Sequence, residues 1–130
     1  NFKFGKPDFR EQQTMNFSKE EKGQYTIVTS NVEKLDSTNA PELKSELVLI
    51  NKNSINNIIL DMSKSRYCDS SGLSAILIGN RLCKDSGGVF VLSGLQPNVQ
   101  KLVEISQLHN VLNIAGATSE AEDMVQNSGE

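Results

Sequence analysis

Three short apolar runs constrain this chain most: Ile58-Ile59-Leu60, Val89-Phe90-Val91-Leu92 and the segment 111–114. Each is too short for an ordinary helix and reads as a buried strand. Each is followed by apolar residues at helical spacing. Leu73, Ile76, Leu77 and Leu82 follow the first run, and Val99, Leu102, Val103 and Ile105 the second. Ala121, Met124 and Val125 follow the third. Strands that alternate with helices imply a mostly parallel sheet joined by right-handed crossovers.

The upstream region starts differently. Segment 16–20 leads through Lys22-Gly23 into 24–30, where Tyr25, Ile27 and Thr29 alternate with Thr26 and Val28. That pattern predicts a hairpin with a glycine turn, which makes the sheet mixed. Asp36-Ser37-Thr38 offers three capping residue types before a helix. Pro41 fits its first turn, where a missing N–H costs nothing. Ala40, Leu43, Leu47 and Ile50 form its apolar stripe, and the Asn- and Ser-rich stretch 51–57 ends it. The expectation is an α/β fold, a single domain with a mixed, mostly parallel sheet of four to five strands and about four α-helices. Residues 1–14 show no period and read as an expression leader or poorly ordered arm, with 15–130 as the domain.

Composition narrows the function. The net charge is −3 and the basic residues are scattered, so nucleic acid is not an expected partner. No apolar run approaches the length of a membrane span, so no direct membrane insertion is expected. Two cysteines, Cys68 and Cys83, and one histidine, His109, do not make a zinc signature. Both thiols read as small buried groups of a reducing compartment. Neither a phosphate-binding glycine loop nor a nucleophile elbow is present. A triad of Ser70, His109 and an aspartate is disfavoured, because His109 lies in a turn-like segment. Asp61, at a strand end, reads as a turn residue.

Functional groups of α/β sheets gather at the carboxyl ends of strands. That directs attention to Asp36, Asp61 and Asp69-Ser70-Ser71-Gly72, the turn before a long helix. Capping by Asp or Ser and close packing at Gly explain the tetrapeptide in purely structural terms. The functional reading is a phosphorylatable hydroxyl at a helix N-terminus. A phosphoserine brings about −1.5 to −2 charges, which the helix end favours and nearby carboxylates oppose. Local potential would change while the fold stays, which suits a binding switch.

These residues resemble the STAS domain, and within it the bacterial anti-sigma factor antagonists. The likeness rests on Ile58-Ile59-Leu60-Asp61-Met62-Ser63, Cys68-Asp69-Ser70-Ser71-Gly72-Leu73, segment 87–94 and segment 97–102, with Leu35-Asp36-Ser37 upstream. It spans about 16–125. The resemblance implies that Ser70 is phosphorylated by a partner serine protein kinase that is also an anti-sigma factor. The unmodified form would bind it and release a sigma factor, and a phosphatase would reverse the modification. Asp69, Ser71, Gly72 and Asp36 would flank the phosphosite. Glu33, Ser37, Ser74, Asn80, Lys84, Ser93 and Pro97 would form the docking face. The protein would be cytoplasmic, need no cofactor and catalyse nothing. The glycine usual before the acidic-Leu-Asp stretch is missing, which leaves the backbone around Asp36 open. A second reading is a non-switching STAS subunit of a stress-signalling or lipid-transport assembly. A third, an enzyme or ligand binder, would call for a deep apolar pocket beside Ser70.

Overall fold

The computed structural model describes residues 15–128. The expectation for residues 1–14 lies outside them. β1 (Phe17–Glu21) and β2 (Tyr25–Ser30) form the antiparallel hairpin, in register from Phe17 opposite Ser30 to Glu21 opposite Thr26. Gly23 carries the turn at φ +87°, where a side chain would strain the backbone. Then come β3 (Lys34–Leu35), α1 (Ala40–Lys52), β4 (Asn57–Asp61), β5 (Tyr67–Cys68) and α2 (Ser70–Asp85). β6 (Phe90–Ser93), α3 (Pro97–Ile105), a 3-10 turn (Leu108–Asn110), β7 (Asn113–Ala115) and α4 (Thr118–Ser128) complete the chain. The main sheet has the order β1-β2-β4-β6-β7, and β2, β4, β6 and β7 run parallel. Among the described residues, the mixed sheet with four helices is the expected architecture.

Both faces of the sheet are covered, which explains the unbroken apolar runs. Ile58, Ile59 and Leu60 are consecutive, yet each is 0% exposed. Val28, Ile58, Leu60, Phe90 and Leu92 point to one side and join Leu43, Leu47 and Ile76 of α1 and α2. Tyr25, Ile27, Ile59 and Val91 point to the other, beneath Ala121 and Val125 of α4.

Several local expectations need correction. Asp36-Ser37-Thr38 does not cap α1; the N-cap is Asn39, and the Asp36 carboxylate folds a turn onto Thr38 instead. Leu77 and Leu82 of α2 are only half-buried, while Ala75, Gly79 and Cys83 complete its inner face. Ile105 is 70% exposed, so α3 rests on Val99 and Val103. The last strand begins at Asn113, leaving Val111 exposed in the preceding turn.

β3 and β5 were not expected as strands. They pair in parallel as a separate two-stranded sheet, with Leu35 opposite Cys68. This small sheet fastens the segment before Asp36 to the segment before Ser70.

Candidate functional site

Asp69 has extended backbone and its Oδ1 accepts the Gly72 amide at 3.0 Å, so it is the N-cap of α2. The capping is therefore done one residue ahead of Ser70. Ser70 opens the helix as an exposed residue, and its hydroxyl is left out of the cap. Ser71 is half-buried beside it.

Gly72 is buried against the first loop. A Cβ there would lie 2.6 Å from both the Leu35 carbonyl oxygen and Cys68 Sγ. Absence of a side chain is what lets the start of α2 press onto β3. The Asp69 amide adds a bond to the Leu35 carbonyl at 3.1 Å. Close packing, the structural role the sequence reading gave Gly72, is what the geometry displays.

The facing loop, 35–39, is closed by its own side chains. Asp36 Oδ1 accepts from the Thr38 amide at 3.0 Å and from Thr38 Oγ1 at 2.6 Å. The Thr38 hydroxyl, then its amide, hold the Asp36 carboxyl below the usual aspartate range. Asn39, 9% exposed, clamps the loop from beneath: its Oδ1 accepts from the Asp36 amide and its Nδ2 donates to the Lys34 carbonyl, both at 2.9 Å. Sequence reasoning missed Asn39. The signal available was its place between a loop of cap residues and Pro41, which by itself reads as an ordinary cap.

The two loops meet at a shallow hollow of about 370 Å³ lined by Ser37, Ala40, Pro41, Lys44, Ser70, Ser71 and Ser74. Its walls are mostly hydroxyl-bearing, unlike a deep apolar pocket. A neighbouring depression of about 520 Å³ is lined by Lys34, Asp36, Tyr67, Cys68 and Asp69. Ser37, Ser70, Ser71 and Ser74 thus belong to one surface, with Asp36 and Asp69 next to it.

The other expected docking residues are spread more widely. Glu33 is exposed and lies 3.7 Å from Arg66, whose guanidinium sits over the Tyr67 ring. Lys84 is exposed and Asn80 half-buried, on the far half of α2. Pro97 is exposed at the start of α3, which packs against β5. Ser93 needs correction: it is 0% exposed and its hydroxyl faces Thr118 Oγ1 at 3.4 Å, so its side chain is not offered to a partner.

Other candidate chemistry is not assembled here. His109 is exposed in the 3-10 turn before β7. Asp61 does serve a turn, accepting the Ser63 amide at 2.9 Å. Burial, with Asp69 beside it, pushes the Cys68 thiol up to about 12, and burial pushes Cys83 to about 12. Both therefore stay protonated at neutral pH, a state that is poorly nucleophilic. Among the described residues, no three His, Cys, Asp or Glu side chains gather to hold a metal, and no helix is long and apolar enough to cross a membrane.

The STAS domain model matches residues 16–121, and the chain belongs to that family. It is 28% identical over 87 residues to BtrV of Bordetella bronchiseptica, which is assigned as an anti-sigma factor antagonist. That match covers 67% of this chain and 75% of BtrV. A Thermotoga maritima protein with the same assignment has a crystal structure that superposes with a TM-score of 0.79 at 25% identity. That superposition covers 85% of this chain and 94% of the other. The Bacillus cell fate determinant SpoIIAA, in its phosphorylated form, shares the fold with a TM-score of 0.66 at 17% identity. There the coverage is 83% and 98%.

Proposed function

We propose that this protein is an anti-sigma factor antagonist switched by phosphorylation of Ser70. Unmodified, it docks on an anti-sigma factor that is also a serine protein kinase, and so frees a sigma factor. The phosphorylated form releases that partner, and a phosphatase resets it. The chain performs no catalysis, carries no cofactor and works in the cytoplasm.

The observation that carries this reading is the placement of Ser70. It is exposed at the first position of α2, relieved of capping by Asp69, and beside a loop that the β3–β5 pair holds in place. A phosphate there would meet free amides of a helix start but also Asp69 and the ionised Asp36. Phosphorylation would add its charge where two carboxylates already stand, a large change at a docking face with no core residue involved. The assignments of the similar proteins support the same reading.

The test is affinity capture of serine protein kinases from the native cell, paired with phosphopeptide mass spectrometry. Ser70→Ala should hold the kinase under all conditions. Ser70→Asp should weaken capture only partly, because it supplies about one charge in place of nearly two. Equal capture by both variants, with no phosphate on a well-covered Ser70 peptide, would sink the switch and leave a constitutive STAS subunit.

A further inference from the structure

We propose that the exposed stripe of α2 is an elongated docking surface for an acidic amphipathic helix of the partner. This rests on the docking role given to α2 above, and assigns the chemistry of what docks. Ser70, Ser74, Leu77, Arg81 and Lys84 are spaced i, i+4, i+7, i+11 and i+14, which places them along one side of the helix. The stripe is about 21 Å long at 1.5 Å per residue. Beside its far half lies a groove of about 620 Å³, formed with Val111 of the turn before β7.

The groove has apolar lining and two cationic side chains from α2. Leu77 and Ile78 are half-buried, and Val111 is 55% exposed. Arg81 and Lys84 are both exposed, and among the described residues neither has a carboxylate within ion-pair distance. Asp85, next to Lys84, is the one acidic residue of the lining. Two unpaired cations beside apolar lining, on a chain of net charge −3, complement carboxylates that flank an apolar anchor. The opposite end of the stripe is acidic, with Asp69 beside Ser70. That polarity fixes which way the partner helix lies.

The two halves act separately. Arg81 stands eleven residues from Ser70, about 16 Å along the helix. At physiological ionic strength the Debye length is about 8 Å, so across that distance, about two Debye lengths, a charge interaction between exposed groups is largely screened. Phosphate on Ser70 therefore acts at the loop end to release the partner, while the far half contributes orientation and affinity that the phosphate itself leaves unchanged.

The experiment is an NMR titration of the full chain with two synthetic helical peptides of about sixteen residues. Each carries a leucine stripe flanked by Glu in one and by Lys in the other. The Glu peptide should shift the amides from Ser74 to Asp85 and at Val111, with binding weakened by added salt. Arg81→Glu with Lys84→Glu should weaken it about tenfold or more, and the neutral pair Arg81→Gln with Lys84→Gln by less. Ser70→Asp should change it by less than about threefold. Equal shifts from both peptides, shifts elsewhere, or none would overturn the proposal. So would sedimentation showing that the chain self-associates through Arg81 and Lys84, since the occupant would then be a second copy. Failure of Ser70→Asp to weaken kinase capture would overturn the switch alone, and leave this surface standing.

Discussion

At the residue scale, the site depends on one missing side chain. Gly72 lets α2 approach β3 so closely that a Cβ would overlap the Leu35 backbone and Cys68 Sγ. The Cys68 thiol has some freedom, but the Leu35 carbonyl does not, since it already accepts the Asp69 amide. Gly72→Ala should therefore separate the two loops rather than merely crowd one side chain. We expect a loss of about 1–3 kcal/mol in a urea titration, the usual range for overpacking. Kinase capture should fall further than stability predicts, because the Asp36 turn would move relative to Ser70. Unchanged stability and capture would show that the loops are held by other means. Ser70 and Gly72 stood out in the sequence because Asp-Ser-Ser-Gly before a long apolar period is unusual. Asn39 did not, because its work is a pair of bonds to backbone groups at Asp36 and Lys34, invisible without the loop's path.

At the element scale, the long elements were readable and the shortest were not. The apolar runs of β4 and β6 and the stripes of α1 and α2 carry enough period to identify themselves. β3 and β5 have two residues each, and no pattern exists at that length. They form because α2 is drawn onto Leu35, a tertiary cause. Ile105 and Val111 misled for the opposite reason: they match an apolar pattern but extend past the end of what they pack on. α4 has the thinnest apolar stripe, and a polar tether supplements it. The Tyr25 hydroxyl donates to Glu122 Oε2 at 2.5 Å, tying α4 to β2. That bond, then burial and the Glu122 charge, raise the Tyr25 pKa above 10.0. A raised folded pKa contributes stability that is complete below the unfolded value and lost as pH rises through the folded one. Tyr25→Phe should cost about 1.5–3 kcal/mol at pH 7 in urea, as for a hydrogen bond to a charged acceptor. The gap from the parent should persist at pH 9 and narrow only above about 10. A gap already closing between pH 7 and 9 would mean that Tyr25 donates no such bond.

At the scale of the whole molecule, the sheet divides the interior into two unequal cores. Among the described residues, nineteen buried ones form the cluster under α1, α2 and α3, and seven form the cluster under α4. The proposed docking surface lies over the larger core, since Leu35, Gly72 and Leu73 are buried on that side. Strands β2, β4 and β6 contribute residues to both cores. Local opening follows the thinnest packing, so α4 should open without the rest. Ala121→Asp places a carboxylate at a position that is 0% exposed, between Ile59 and Val91 on the smaller face. A buried unpaired charge is costly enough to displace a single covering helix. Hydrogen exchange should then show lost protection in α4 with α1 and α2 still protected, and a hydrophobic dye should bind the uncovered strands. Kinase capture should survive in the soluble fraction, because nothing around Ser70 leans on α4. Simultaneous loss of protection in all four described helices would instead mean that the two cores fold as one unit, and that the separation of the Ser70 face from the cover helix is only geometric.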